Sequence, residues 1–259
     1  MVATERPHFT ARIRGVRHLF ISDLHLDAAS PATVAAFLRF LATDARGAAS
    51  LHVLGDLFES WIGDDDPDPT RDRVCRGLRA LVESGTALYV MQGNRDFLYG
   101  PVFAQRSGAT LLPDPVVATL GDERILLTHG DLLCTGDPAY QELRSTLRDP
   151  AFRRRVLALP IEARQLLADA ARAGSKAHTR VAAEHIMDVT PAAVVAAFEA
   201  SGVRKMIHGH THRPGVHRHP TPGGEAQRVV LAAWDAQGEY LQITSDGWER
   251  RSVESGKPE

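Results

Sequence analysis

The sequence has 259 residues, of which 44% are hydrophobic and 24% are charged, and its net charge is −2. These values are ordinary for a globular protein, and the near-neutral charge gives no sign of a nucleic-acid-binding protein. The two cysteines, Cys75 and Cys134, form no CxxC pattern, which favours buried free thiols in a reducing compartment. No apolar run approaches the roughly 20 residues that span a bilayer, so we expect any membrane contact to be peripheral.

The first part of the chain alternates short apolar runs with helical patterns. A helix is predicted to begin at Pro31, with Ser30 as its N-cap, and a second helix to cover residues 70–83. Strands are predicted at residues 17–22, 51–54 and 87–91. This βαβαβ order predicts an α/β domain with a largely parallel sheet.

The second part of the chain is organised differently. A hairpin is predicted from residues 116–120 and 124–128, and a helix from Pro191 to near Gly202. Further strands are predicted at residues 205–207, 228–233 and 239–244. The segment 138–190 has few strand signals, is mainly helical in pattern, and holds nine basic and six acidic residues. We interpret it as a helical cap (138–190) inserted into a core formed by residues 15–137 and 191–253.

Five polar motifs each follow an apolar run, where a predicted strand should end. They are Asp23-Leu24-His25, Gly55-Asp56, Gly93-Asn94-Arg95-Asp96, His129-Gly130-Asp131 and His208-Gly209-His210-Thr211-His212. Carboxylate, imidazole and amide oxygen are ligands for Mn²⁺, Mg²⁺, iron or Zn²⁺ rather than for soft metals. Residues two apart at the end of a strand point to the same side. The motifs therefore predict a metal site at the carboxyl ends of the strands, where open α/β sheets place their ligands.

The ligand set is large enough for two ions, which need a bridging group such as the Asp56 carboxylate. The proposed ligands of the first ion are Asp23, His25, Asp56 and His212. Those of the second ion are Asp56, Asn94, His129 and His210. Four glycines in the motifs are expected to adopt unusual backbone angles and to let the loops approach the ions closely: Gly55, Gly93, Gly130 and Gly209. Asp96 is expected to orient a neighbouring ligand.

Other polar residues have plainer interpretations. His18 and His52 lie within predicted strands and are expected to be structural. His217 and His219 lie in a proline-rich turn and are expected on the surface. The run Arg153-Arg154-Arg155 is expected to be a solvated helix face. The run Asp64-Asp65-Asp66 is expected to be a solvated loop, and its position after Trp61 leaves a substrate-side role open. Arg95 has two open interpretations: a surface salt bridge or a role at the predicted metal site.

At the five motifs the sequence resembles the calcineurin-like metallophosphoesterases. This resemblance implies an α/β fold with two mixed β-sheets packed face to face and flanked by helices. That family commonly has histidine after the Gly-Asn pair, where this chain has Arg95. A narrower resemblance, to the UDP-2,3-diacylglucosamine hydrolases, accounts for this departure and covers nearly the whole chain. It is carried by Gly55-Asp56-Leu57-Phe58-Glu59, Gly93-Asn94-Arg95-Asp96-Phe97-Leu98, Thr135, Asp137, Tyr140, Gln141 and His208-Gly209-His210-Thr211-His212-Arg213-Pro214.

The narrower resemblance implies hydrolysis of the pyrophosphate of UDP-2,3-diacylglucosamine, giving UMP and 2,3-diacylglucosamine 1-phosphate for lipid A synthesis. It also implies two Mn²⁺ ions as cofactors, a lipid-linked UDP-sugar as partner, and a cytoplasmic protein in peripheral contact with the anionic inner-membrane surface. The expected substrate contacts are Asn94, Arg95, Asp137, Ser175 and His210. After that serine, Thr179 and Ala182 stand where the family tends to have asparagine and lysine.

The hypothesis gives catalytic roles to Asp56, Asn94, Arg95 and His210, with Arg95 pairing to a phosphate oxygen. Apolar faces carrying Phe152, Val156 and Leu159, or Leu166 and Leu167, are candidate acyl-chain surfaces. The alternative interpretation is that these faces belong to ordinary amphipathic helices and pack on the protein core. Two alternatives remain for function: a phosphoesterase acting on cyclic nucleotides or other phosphoesters, and a non-catalytic binding scaffold.

Overall fold

The computed structural model of this protein describes residues 8–11, 17–181 and 188–253, and describes side chains for residues 17–174 and 188–253. The side chains of Ser175, Thr179 and Ala182 lie outside the described part. The strands are β1 (His8–Ala11), β2 (His18–Ile21), β3 (Ser50–Leu54), β4 (Ala87–Met91), β5 (Thr110–Leu112), β6 (Val116–Leu120), β7 (Glu123–Leu127), β8 (Lys205–His208), β9 (Gly215–Thr221), β10 (Gly224–Val230), β11 (Glu239–Thr244) and β12 (Gly247–Ser252). The helices are α1 (Pro31–Ala42), α2 (Pro69–Glu83), α3 (Pro101–Ser107), α4 (Pro138–Arg148), α5 (Pro150–Leu157), α6 (Ile161–Val181) and α7 (Pro191–Ser201), with a 3₁₀ turn at Asp131–Leu133.

The described strands form two mixed sheets of six strands each. The first sheet has the order β1-β6-β7-β8-β10-β9, and the second has the order β12-β11-β2-β3-β4-β5. In the second sheet β2, β3, β4 and β5 run parallel, while β11 joins β2 antiparallel. In the first sheet β7 and β8 run parallel. The parallel strands were predicted from the βαβαβ order; the second sheet came only from the family resemblance, and both are confirmed.

Successive apolar side chains of the strands face two different cores, and this alternation explains why the two sheets stack. Phe20 of β2 faces a core shared with the first sheet, whereas its neighbours Leu19 and Ile21 face the opposite core. In β7, Ile125 joins the shared core and Leu126 faces the other way. Since successive side chains point to opposite faces of a strand, strands with apolar residues on both faces must be buried on both sides.

Helices cover the two outer faces. Leu78 of α2 and Phe37 of α1 pack against the outer face of the second sheet. Phe198 and Val194 of α7 pack against the outer face of the first sheet. Thr190 caps α7 by accepting from Ala193 N, as a residue preceding Pro191 should. The result is a four-layered arrangement of helix, sheet, sheet and helix.

Several elements were not predicted from the sequence. They are β1, α3, β5, β9 and β12. Strand β9 reads GVHRHPT and β12 reads GWERRS, and both lie at sheet edges and are mostly exposed. Without a buried face, neither strand carries the apolar alternation on which the prediction rests. Ser30 also differs from expectation, since its side chain makes no capping hydrogen bond to α1.

The segment between the 3₁₀ turn and α7 is helical where it is described, as its sequence indicates. It contains α4, α5 and most of α6. Phe152 and Val156 of α5 pack on the main core, so they are not a free acyl-chain surface and the plain amphipathic interpretation holds for them. No helix in the described ranges is long and apolar enough to cross a bilayer.

The acidic run after Trp61 is structural rather than solvated. Asp64 accepts hydrogen bonds from Trp61 Nε1 and from the N–H groups of Gly100, Val102 and Phe103. These donors include the first, otherwise unpaired N–H groups of α3. Asp65 and Asp66 pair with arginines, Arg164 and Arg71 respectively. The expectation of a solvated loop was wrong for Asp64 and Asp66, because apolar periodicity does not show such polar partners. It holds in part for Asp65, whose side chain is 61% exposed.

Candidate functional site

The five motifs meet at one end of the two sheets. Asp23 follows β2, Asp56 follows β3 and Asn94 follows β4, all at the carboxyl ends of parallel strands. His129 and His210 follow β7 and β8, which are parallel neighbours in the other sheet. The loops are joined by main-chain hydrogen bonds, including Asp23 N to Gly55 O at 3.1 Å and Gly209 N to His129 O at 2.9 Å. The sandwich therefore brings ligands from both sheets into one cluster.

Backbone strain is concentrated at this cluster. In the described part of the chain, five residues other than glycine have positive φ, and all five are candidate ligands: Asp23, His25, Asp56, His210 and His212. A left-handed conformation is unfavourable for residues with a Cβ and persists where surrounding structure enforces it. Such strain marks this loop cluster as a functional site.

The motif glycines act in two different ways. Gly55 and Gly130 have φ of 92° and 114°, so they provide the unusual backbone angles that were expected. Gly93 and Gly209 do not have positive φ, and their role is close approach. A Cβ on Gly93 would lie 2.0 Å from Asp56 Oδ1, and one on Gly209 would lie 2.1 Å from Asp23 Oδ2. These two glycines bring the main chain against the ligand carboxylates.

One group of ligand atoms surrounds Asp23. Asp23, His25 and His212 offer atoms that all lie within 4.8 Å of one another. His25 Nε2 lies 3.4 Å from His212 Nε2, and His212 Nε2 lies 3.5 Å from Asp23 Oδ1. Asp56 Oδ2 lies 3.9 Å from His25 Nε2. On its other side, His25 Nδ1 lies 3.1 Å from Glu59 Oε2.

A second group surrounds His129. Asp23, Asp56 and His129 also offer atoms within 4.8 Å of one another. His129 Nε2 lies 3.8 Å from Asp56 Oδ2 and 3.1 Å from Asn94 Oδ1. His129 Nδ1 is 2.9 Å from Leu54 O, which assigns the proton to Nδ1 and leaves Nε2 as a ligand atom. The ring of His210 packs against that of His129, with centroids 5.0 Å apart. The seven candidate ligands thus form one connected cluster, and Asp23 belongs to both groups.

The carboxylates create a strongly negative potential at the cluster. Burial alone would lower the pKa of His129, but Asp56, Asp131 and Asp23 outweigh it and raise that pKa to about 9. Burial raises the pKa of Asp23, yet the imidazoles of His212, His129 and His25 hold it well below its usual range. Burial and the neighbouring His129 lower the pKa of His210 to about 4. The site therefore favours positive charge between its carboxylates.

These residues fit divalent metal ions. Asp23 is fully buried, and its Oδ1 has no hydrogen-bond partner among the described residues. A buried carboxylate oxygen without a donor is costly unless a cation satisfies it. Two imidazole nitrogens 3.4 Å apart beside that oxygen are suited to share a cation. The donor set of carboxylate, imidazole and amide oxygen suits Mn²⁺, Fe²⁺ or Zn²⁺.

Asp96 supports the ligand loops from behind. It is fully buried, and its Oδ1 accepts from Gly93 N while its Oδ2 accepts from Leu57 N and Tyr99 Oη. Burial and the nearby Asp56 raise the pKa of Asp96 to about 6. The carboxylate therefore ties the loop after β3 to the loop after β4, which agrees with the orienting role predicted for it.

An open cavity of about 390 Å³ adjoins the cluster. Its lining combines polar side chains of Asn94, Arg95, Asp137 and Tyr140 with the less polar residues Phe97, Ala139, Leu143, Leu147, Ala171 and Gly174. Tyr140 also packs against the His210 ring, with centroids 5.5 Å apart. Asp137 caps α4 by accepting from Tyr140 N at 2.9 Å. Three predicted substrate contacts, Asn94, Arg95 and Asp137, line this cavity, and a fourth, His210, packs against the lining residue Tyr140. The side chain of the fifth, Ser175, lies outside the described part.

A buried charge network joins the first cap helix to the His129 loop, and sequence patterns did not reveal it. Asp131 pairs with Arg144 at 3.0 Å and with Arg148 at 3.7 Å. Asp114 also pairs with Arg144, at 3.0 Å, and accepts from His129 N at 3.2 Å. The only sequence signal is the arginine pair four residues apart on α4, which lies on one helix face.

The remaining polar residues agree with their plainer interpretations, except for His217, His219 and Arg153. His18 and His52 are buried in β2 and β3, and both contact Ser50 Oγ. His217 is exposed, but it lies with His219 in strand β9 rather than in a turn. Cys75 and Cys134 are buried and are not joined in a disulfide. In the arginine run, Arg154 and Arg155 are exposed, whereas Arg153 donates to Tyr99 O and is part of the packing.

Comparisons with known proteins agree with this geometry. The family described as Calcineurin-like phosphoesterase matches residues 16–214. A protein of Xanthomonas oryzae pv. oryzae (strain PXO99A) is 48% identical over 88% of this chain and 96% of its own length. One of Enterobacter sp. (strain 638) is 48% identical over 89% of this chain and 96% of its own, and one of Pseudomonas putida (strain W619) is 47% identical over 91% and 98%. All three are named UDP-2,3-diacylglucosamine hydrolase.

Proposed function

The chain belongs to the calcineurin-like phosphoesterase family, and we propose that it hydrolyses the pyrophosphate bond of UDP-2,3-diacylglucosamine. The products are UMP and 2,3-diacylglucosamine 1-phosphate, an intermediate of lipid A synthesis. The observation that carries this proposal is the cavity lined both by the candidate ligand Asn94 with Arg95 and by apolar side chains such as Leu143 and Leu147. A pyrophosphate joined to acyl chains needs both kinds of surface. The name of the relatives supports the same substrate.

The proposed cofactors are two Mn²⁺ ions. Asp23, His25, Asp56 and His212 are assigned to one, and Asp56, Asn94, His129 and His210 to the other. The position of Asp56 Oδ2, 3.9 Å from His25 Nε2 and 3.8 Å from His129 Nε2, supports a bridging role for it. When bound, such ions lower the pKa of water towards 7 and neutralise charge at phosphate.

The other residues bind and orient the substrate. Arg95 is assigned to a phosphate oxygen, where its planar guanidinium can donate two parallel hydrogen bonds. His210, held between His129 and Tyr140, is assigned to a neighbouring phosphate oxygen. Asp137 and Ser175 are assigned to the nucleotide or sugar.

The cap of residues 138–190 is proposed to shield this site. The core formed by residues 15–137 and 191–253 supplies the metal ligands, and helices α4 and α6 line the apolar part of the cavity. Excluding water there strengthens the electrostatic contacts to the phosphates.

The proposed location is the cytoplasmic face of the inner membrane, with peripheral attachment through the cap. Two observations support it: Arg154 and Arg155 are exposed, and so are Leu157, Leu159 and Leu166. Basic and apolar side chains together suit an anionic bilayer surface. The protein should co-sediment with vesicles containing an anionic phospholipid, and Arg154→Gln/Arg155→Gln should weaken this. Equal binding to purely zwitterionic vesicles would argue against attachment through charge.

The substrate assignment is tested by incubating the purified protein with UDP-2,3-diacylglucosamine and Mn²⁺ and measuring UMP. We expect UMP release by the wild type and by Asp122→Ala, an exposed carboxylate in the β6–β7 turn. We expect none from Asp56→Ala. Turnover of a cyclic nucleotide without UMP release would favour the alternative phosphoesterase, and unchanged turnover in Asp56→Ala would refute its bridging role.

A further inference from the structure

Glu59 contacts a candidate metal ligand from the side opposite the ligand cluster. Its Oε2 lies 3.1 Å from His25 Nδ1, within ion-pair distance, and this ring nitrogen has no other hydrogen-bond partner among the described residues. The other ring nitrogen, Nε2, faces His212 and Asp56. The two nitrogens of His25 thus have different partners, and Glu59 occupies the one that a cation would not use.

The two residues are held opposite each other by their main chains. Leu26 N donates to Leu57 O at 3.0 Å, and Glu59 N donates to Leu26 O at 3.2 Å. Leu26 and Phe58 form an isolated parallel bridge between the two loops. Asp96 fixes the second loop by accepting from Leu57 N and Phe58 N. The contact between His25 and Glu59 is therefore built into the backbone.

The surroundings of Glu59 favour its charged form. His25, Arg95 and Arg172 are near enough to stabilise a negative charge on its carboxylate. The side chains of Glu59 and His25 are only 19% and 24% exposed, so solvent screens the contact weakly. A partly buried carboxylate beside an imidazole nitrogen accepts the proton of that nitrogen in preference to water.

We propose that Glu59 is a positioning residue for the metal centre. Its carboxylate accepts the Nδ1–H of His25, which leaves Nε2 unprotonated and aimed at the cation shared with Asp23 and His212. This inference rests on the proposed function only in requiring that these residues bind a divalent ion. Carboxylate partners of this kind fix the tautomer and raise the basicity of a histidine ligand, and losing one typically costs 10- to 100-fold in metal affinity.

The test is titration of metal-free protein with Mn²⁺ alone, following free Mn²⁺ by electron paramagnetic resonance. We expect Glu59→Ala to weaken Mn²⁺ binding about 10- to 100-fold. Glu59→Gln should lose less, because its amide oxygen still accepts a hydrogen bond. Asp27→Asn is the charge-matched control, since Asp27 lies 3.8 Å from Arg172 and accepts a hydrogen bond from Ala29 N. We expect its Kd to stay within about 2-fold of the wild type.

A second readout needs no metal. Long-range ¹H–¹⁵N spectra should show neutral His25 protonated at Nδ1 in the wild type, with this preference lost in Glu59→Ala. Circular dichroism checks that each variant is folded. An unchanged Kd in folded Glu59→Ala, or an equal loss in Asp27→Asn, overturns the inference while leaving the proposed function intact. A wild-type protein that binds no Mn²⁺ overturns both.

Discussion

Gly93 lies so close to Asp56 that a Cβ at position 93 would be 2.0 Å from Asp56 Oδ1 and 2.4 Å from Asp56 N. Asp56 is the candidate bridging carboxylate, and its main chain has positive φ. The loop after β4 is thus packed directly against the central ligand of the loop after β3. A side chain of any size at position 93 must displace this carboxylate.

We therefore predict that Gly93→Ala reduces activity about 100-fold, because displacement of a catalytic group by roughly 1 Å has an effect of that order. The measurement is UMP release at saturating Mn²⁺. Gly223→Ala is the matched control, since the nearest atom to a Cβ there lies 3.9 Å away. Wild-type activity in Gly93→Ala would show that Asp56 does not need its present position.

Asp64 should be essential for stability rather than for chemistry. Asp64→Ala leaves three N–H groups at the start of α3 and the Trp61 indole without their acceptor. We expect the free energy of unfolding to fall by about 2–3 kcal/mol. Denaturant unfolding measures this, with the exposed Asp122→Ala for comparison. A loss no larger than that of Asp122→Ala would contradict the anchoring role.

Arg164 fastens α6 to the loop after Trp61. Its side chain is 3% exposed, donates to Ile62 O at 2.7 Å and pairs with Asp65. Arg164→Met should lower the free energy of unfolding by about 2 kcal/mol, because Ile62 O is left buried and unpaired. Since α6 also lines the cavity, we expect KM for the lipid substrate to rise several-fold, with turnover of a small phosphodiester little changed. Arg218→Gln, at an exposed position of β9, is the control. An equal effect on both substrates would exclude a role for Arg164 in placing α6 beside the cavity.

His52 should make stability depend on pH. Burial and the neighbouring His18 lower the pKa of His52 from 6.5 to about 3. Between these values the unfolded chain binds a proton that the folded chain does not, so the free energy of unfolding falls as pH decreases, by about 1.4 kcal/mol per unit for this residue. Its stabilising contribution is fully present above pH 6.5 and is lost towards pH 3.

His52→Phe should remove this contribution and preserve the stacking on Phe20 and Tyr89. Unfolding measured from about pH 4.5 to about pH 7 should then show a shallower acid slope than the wild type, by roughly one proton. An identical slope in the two proteins would mean that His52 is already protonated when folded.

Much of the candidate site could be predicted because its motifs are short and local. The spacing of two residues between Asp23 and His25, and between His210 and His212, indicates that each pair points to one side. Each pair also follows an apolar run, so it is expected at the carboxyl end of a strand. The helices α4, α5 and α6 could be predicted because 3.6-residue periodicity is local as well. The edge strands β9 and β12 could not, because an exposed strand needs no apolar pattern. The roles of Asp64 and of the Asp131–Arg144 pair could not either, since their partners lie at unrelated positions along the chain.

The sequence by itself determined the chemistry of the donors and the order of the elements that carry them, since both depend on residue type and short-range periodicity. Only the tertiary structure decided that Asp23 stands in both ligand groups, that five ligands have left-handed backbones, and that Glu59 contacts His25. These features arise from the packing of two sheets, whose strand ends meet across large separations in sequence. The spacing of residues along the chain does not predict these distances, because they depend on which faces of the two sheets pack against each other.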